Sequence, residues 1–150
     1  MTFSVPVREG PLPAWADRAL AFAVLATGLA VVWLLWLIDP DPRGHGTHVR
    51  LGMAPCGWAQ SWEVPCPTCG VTTAACWLVH LAPHRALAAN PFGAALAAAG
   101  LWAAGFAAAC LLRGRAFLEP CTRLPFARLL AGALALLLLS WGYKYLTFVP

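Results

Sequence analysis

Three long runs without charge constrain this chain more than any other feature. Ala19 to Ile38 holds twenty uncharged residues and Phe92 to Leu112 holds twenty-one; Leu129 to Val149 is broken only by Lys144. At about 1.5 Å per helical residue, each run reaches across the roughly 30 Å hydrocarbon core of a bilayer. The rest of the chain agrees, being 61% hydrophobic and 11% charged, whereas soluble domains carry about a quarter charged residues. A chain of 150 residues could not hide that much apolar surface in one aqueous core, so its solvent is lipid. We therefore expect an all-α integral membrane protein: a single membrane domain over residues 1–150, with spans at about 19–38, 92–112 and 129–149. Its cysteine loop and short helices fall in 39–91, and its place is the cell inner (plasma) membrane, crossed several times.

The flanks support the same expectation. The first run is too long for a signal-peptide core, and no small-x-small cleavage site follows it. Trp33 and Trp36 lie near its far end, and Trp141, Tyr143 and Tyr145 lie in the third run, where aromatic belts form. Lys144 sits close enough to the end of its run to snorkel. Residues 1–16, rich in proline and without periodicity, read as a disordered or interfacial lead-in. In the second run Gly93, Ala97, Gly100, Ala104 and Ala108 recur at steps of three or four, so they share a helix face. Small side chains at that spacing allow close helix approach. The Ala97/Gly100/Ala104 face is thus a candidate contact for another membrane protein or a second copy; the alternative is a span that is simply alanine-rich throughout.

The net charge of +4 comes from nine arginines and one lysine. They cluster at the ends of the apolar runs and form no basic stripe with interleaved aromatics, which excludes a nucleic-acid footprint. Topology depends on residues 71–89, an apolar stretch broken by Pro83. His80, His84 and Arg85 would be costly at mid-depth, so we expect a short interfacial or re-entrant helix and three spans. Arg8, Arg18, Arg113, Arg115, Arg123 and Arg128 then share one side, against Arg43, Arg50, Arg85 and Lys144 on the other. The positive-inside rule places the first set in the cytoplasm and the cysteine loop outside. Were 71–89 to cross, the loop would be cytoplasmic.

That loop carries the candidate chemistry. Of six cysteines, Cys110 lies in a span and Cys76 in the short apolar helix, where each reads as a small packed hydrophobe. Cys56, Cys66 and Cys69 share one polar segment, Cys66-Pro67-Thr68-Cys69-Gly70 being a compact Cys-x-x-Cys knuckle. Two thiolates at that spacing can bite one metal ion. Zinc needs four ligands, and Cys56 with His48, or with His45, His80 or His84, would complete the set. The same thiols can form a disulfide. Cys69 lies at the amino end of the helix that Gly70 opens, where amides and dipole lower a thiol pKa, and Thr72 or Thr73 could cap that helix. Other motifs fail: no His-x-Glu accompanies the cysteines as deaminases require, no histidine follows Cys69 as haem attachment requires, and Glu63 stands alone as an acid–base candidate. Asn90-Pro91 reads as a helix stop.

Gly46-Thr47-His48, Leu51-Gly52, Pro55-Cys56, Pro65-Cys66-Pro67-Thr68-Cys69-Gly70-Val71-Thr72-Thr73 and Asn90-Pro91 together resemble the bacterial membrane family known as domain of unknown function 2752, over roughly residues 44–110. Many relatives carry arginine where Thr73 stands, and a Gly-Asp turn where this chain has Ala82-Pro83-His84. The resemblance implies a small multi-span membrane protein and supplies no activity, substrate or cofactor. It joins Cys56, Cys66 and Cys69 into one set. The expected role is a non-enzymatic membrane module whose loop is held by a metal clip, zinc being the candidate ion, or by a disulfide. The alternative is a membrane thiol–disulfide oxidoreductase using Cys66 and Cys69, with Cys56 as resolver.

Overall fold

The computed structural model describes residues 12–148; residues 1–11 of the lead-in and Val149 of the third run lie outside them. Every regular element among the described residues is helical. Three helices are long and apolar enough to cross a membrane: α1 (Ala14–Trp36), α6 (Pro91–Arg113) and α8 (Phe126–Thr147). Between α1 and α6 lie four short helices, α2 (Thr47–Arg50), α3 (Gly57–Trp62), α4 (Val71–Val79) and α5 (Pro83–Ala89); α7 (Leu118–Cys121) sits between α6 and α8. The chain is a multi-pass membrane protein.

Residues 71–89 do not cross. α4 has nine residues and α5 seven, about 14 and 11 Å of helix at 1.5 Å per residue, well short of the hydrocarbon core. They are separated at Leu81, whose φ is +58°, and Pro83 opens α5 at its first turn, where a missing N–H costs nothing. The short helices therefore gather at one end of the bundle, with the carboxyl end of α1, the amino end of α6 and the carboxyl end of α8.

α1 begins five residues earlier than the uncharged run. Asp17 lies two residues before that run, and the fold gives its carboxylate a use. It is 7% exposed and accepts hydrogen bonds from the backbone N–H groups of Phe117 (2.7 Å) and Leu118 (2.9 Å), where α7 starts. A buried carboxylate with two amide donors is compensated, and it pins the α6–α8 connection to α1.

The main packing is α1 on α6 and α4 on α6, and small residues make both possible. A Cβ on Gly28 would lie 2.7 Å from the Ala104 Cβ, and one on Gly93 would lie 2.7 Å from the Val71 Cα. The small-residue face of α6 is thus used inside the chain at its two ends, Ala104 against α1 and Gly93 against α4. Ala97 and Gly100, in the middle, border an open apolar groove of about 510 Å³ between α1, α4 and α6. A Cβ at Gly100 would meet nothing within 4 Å. α8 packs less, and its first half, residues 126–135, is exposed along its length, as suits a lipid-facing helix.

Gly28→Ala should therefore lower the stability of the detergent-solubilised protein by about 1–3 kcal/mol through overpacking. Gly100→Ala, at an open helical position, should stay within about 1 kcal/mol of the parent. Thermal unfolding of the two variants measures the contrast, and equal shifts would contradict the Gly28–Ala104 contact.

Candidate thiol site in the loop

The cysteine loop is held by a buried polar knot. Asn90 is completely buried; its Oδ1 accepts from Gly93 N–H at 2.7 Å and its Nδ2 donates to the Cys69 carbonyl at 3.0 Å. One side chain thus caps α6 and ties the Cys-x-x-Cys turn to it. The sequence reading of Asn90-Pro91 as a helix stop saw half of this, the α5–α6 break, and missed the bond across the fold. Thr72 and Thr73 do not cap α4, which begins on Gly70 without a side-chain cap. Thr73 is buried instead and its hydroxyl meets that of Thr47 at 2.9 Å, while Thr47 Oγ1 accepts from the Asp41 N–H at 3.0 Å.

Gly70 is demanded twice. Its φ is +89°, in the left-handed region that favours glycine, and a Cβ there would come 2.5 Å from the Gly44 carbonyl oxygen and 3.0 Å from that of Ala89. Trp141 Nε1 donates to the Pro65 carbonyl at 3.0 Å, and Trp58 packs edge-on against Trp141, so α8 also braces the loop.

Within this frame Cys66 is the middle member of the three thiols. Its thiol lies close enough to those of Cys56 and Cys69 to influence the acidity of each, and it lies 3.6 Å from the Thr68 hydroxyl. All three cysteines are free thiols. Cys56 and Cys66 are half-buried and Cys69 is buried. The reactivity order differs from the sequence expectation. Burial pushes the Cys69 thiol up to about 11, with the nearby Cys66 adding to the rise against a smaller opposing pull from the Lys144 charge. Position at the start of α4 does not rescue it, because desolvation outweighs the dipole. The lowered thiol is Cys56. Partial burial raises it, but the amides of Ala59 and Trp58 at the start of α3 and the Cys66 thiol together more than offset that.

His48 lies half-buried in α2. Among the described residues no three His, Cys, Asp or Glu side chains stand so that they could hold a metal ion, so a zinc clip from Cys56, Cys66, Cys69 and His48 draws no support from the geometry. The other histidines have separate surroundings. His45 is buried against the Phe148 ring, with centroids 4.7 Å apart. His80 stacks on Trp36 and places Nε2 3.3 Å from the Leu35 carbonyl and 3.1 Å from that of Ile38. Both partners are acceptors, so Nε2 carries the proton. Cys76 donates to the same two carbonyls, so it is more than a packed hydrophobe: with His80 it satisfies the free end of α1.

Residues 56–104 match the family model described as "Protein of unknown function (DUF2752)", which supports the resemblance read from the loop. The matched segment begins at Cys56, ends at Ala104, and contains all three thiols, Gly70 and Asn90. Neither a curated protein nor a solved structure matches the chain.

Two outcomes follow. Asn90→Ala removes a helix cap and leaves the buried Cys69 carbonyl without its donor, so it should cost about 2–4 kcal/mol in unfolding experiments. In the folded protein, reduced beforehand and held near pH 7, a small maleimide should modify Cys56 first and leave Cys69 unmodified. The rise from 9.0 to about 11 alone removes about a hundredfold of the Cys69 thiolate. Cys56 modification should set in at a lower pH than that of an ordinary thiol, and that of Cys69 should appear only as the pH approaches 11 or the protein unfolds. Mass spectrometry of timed samples gives the order.

Proposed function

We propose, from the match of residues 56–104 to a family of unknown function and the geometry inside that segment, that the loop of this multi-pass membrane protein is a thiol–disulfide element. A Cys56–Cys66 bond would hold it shut, on the extracytoplasmic side of the cell inner membrane. The observation that carries this reading is the position of the Cys66 thiol, close enough to both Cys56 and Cys69 to influence the acidity of each. The excess of arginine on the amino-terminal and 113–128 side supports the orientation, and the outer compartment is where disulfides persist. In this role the protein is a structural module, its loop the recognition surface and its open Ala97/Gly100 groove the place for a helix of a partner or a second copy.

A second reading, a thiol–disulfide oxidoreductase, is favoured by the lowered Cys56 thiol alone. An incoming disulfide is the oxidant. The Cys56 thiolate attacks one of its sulfurs and expels the other as a thiolate. The Cys66 thiol, losing its proton, then attacks Cys56 Sγ in the mixed disulfide, closes the Cys56–Cys66 bond and releases the second sulfur as a thiolate. Two thiols of this chain are oxidised and one disulfide is reduced to two thiols. Cys69, buried and raised to about 11, takes no part in these steps. This assigns the nucleophile to Cys56, where the spacing of the Cys-x-x-Cys pair alone suggests Cys66 or Cys69.

Cys56→Ser, Cys66→Ser and Cys69→Ser, each purified from membranes with thiols trapped by acid, separate the readings. The parent should show a shortfall of two modifiable thiols, regained on reduction, in a closed-loop module; Cys56→Ser and Cys66→Ser should each abolish it and Cys69→Ser should not. Turnover with an added protein disulfide, lost in Cys56→Ser, marks the enzyme. A parent with all thiols reduced in cells and no exchange in vitro contradicts both.

A further inference from the structure

At the loop end of the bundle three cations border one cavity that the thiol site does not use. It has a volume of about 410 Å³ and is walled by Arg43, Gly44, Trp77, Arg85, Lys144 and Thr147, among others, within the roughly 300–1,000 Å³ of small-ligand sites. Each cation is held in place. Arg43 pairs with Asp41 at 3.0 Å, and Arg85 lies over the Trp77 ring with its guanidinium carbon 4.7 Å from the centroid. Lys144 is 3% exposed and donates to the Gly44 carbonyl at 3.1 Å. Asp41 is committed to Arg43, and among the described residues no carboxylate pairs with Lys144.

The Lys144 ammonium is the unbalanced member. Sequence reading sends it by snorkelling to the interface, yet the fold keeps it inside. A buried ammonium is expensive unless a negative charge compensates it, and a neutral carbonyl uses one of its three N–H donors. An ionisable group kept in a membrane protein's interior marks a site by default. Lys144 lies in the last turn of α8 and Arg85 in the first turn of α5, at the end of the bundle where the spans stop. That is the depth of lipid headgroups.

We propose that this cavity binds a phosphate group, with Lys144 as the buried charge and the guanidinium of Arg85 as the outer clamp. Guanidinium forks and ammonium groups together suit the oxygens of a phosphate, and a dianion or a phosphodiester would offset the excess charge that Asp41 leaves. The phosphate can come from an anionic phospholipid or from a free phosphate or phosphomonoester.

The intact chain in a non-ionic detergent tests this, with inorganic phosphate as one probe and phosphatidylglycerol as the other; phosphatidylcholine, zwitterionic, is the control. Thermal shift and native mass spectrometry read binding. A one-to-one adduct and a raised Tm with phosphatidylglycerol, absent with inorganic phosphate, assign a lipid headgroup; saturation by inorganic phosphate assigns a free phosphate. In either case Arg85→Gln, an exposed side chain whose loss leaves the buried knot intact, should weaken binding about tenfold or more, and so should Lys144→Gln wherever it folds. Arg18→Gln, at the opposite end, should bind as the parent does. Failure of both probes, or unweakened binding by Arg85→Gln, overturns the proposal.

Discussion

Everything at the loop end of this protein depends on satisfying backbone polar groups where water is scarce. Helices end there, and each end leaves carbonyls or amides without a partner in its own helix. Asn90 meets this demand for the Cys-x-x-Cys turn and for α6 at once, from full burial. Ser140 of α8 does the same for the next amide, its hydroxyl accepting from Phe92 N–H at 2.8 Å. Cys76 and His80 supply donors to the last carbonyls of α1. The short helices are therefore a polar plug that closes the ends of three spans, and the chemistry of the loop is built on top of it.

The plug explains how a loop with little apolar core can be rigid enough to order three thiols. Gly70 lets two other backbone segments, at Gly44 and Ala89, approach to contact distance, and Trp141 fastens Pro65, next to Cys66, to a span. The segment that carries Cys66 is thus braced on both sides, at Pro65 by α8 and at Gly70 by the Gly44 and Ala89 backbone. The same crowding desolvates Cys69 and leaves Cys56, at the start of α3, with free amides to stabilise a thiolate. Burial and helix position act on thiols of one cluster in opposite directions, and the more buried one loses its acidity.

The two proposals share this scaffold but use different faces of it. The thiol chain lies on the α3 side of Gly70, whereas the cationic cavity lies between α4, α5 and the end of α8. Lys144 touches on both, bordering the cavity and contributing a weak attraction for the Cys69 thiolate.

Much of the architecture was legible from the chain alone. The three spans follow from the length of uncharged runs, because a bilayer of fixed thickness converts length into topology. The failure of 71–89 to cross follows from Pro83, His80 and Arg85. The tight turn at Cys66 and Cys69 was readable because proline and glycine flank that pair, and the sharing of one polar segment with Cys56 is a matter of sequence position. What the chain could not show were the roles of single polar residues that act across the fold. Asn90 looked like a stop, Thr73 like a cap, Cys76 like filler, and Lys144 like a snorkelling flank. Each is fixed by a partner tens of residues away, and periodicity carries no information about such partners. Sequence determined that this chain must lie in lipid and where it crosses, because hydrophobic transfer depends only on composition and run length. Tertiary structure decided which thiol is acidic and which cation is buried, because desolvation and hydrogen bonding depend on what the fold brings alongside.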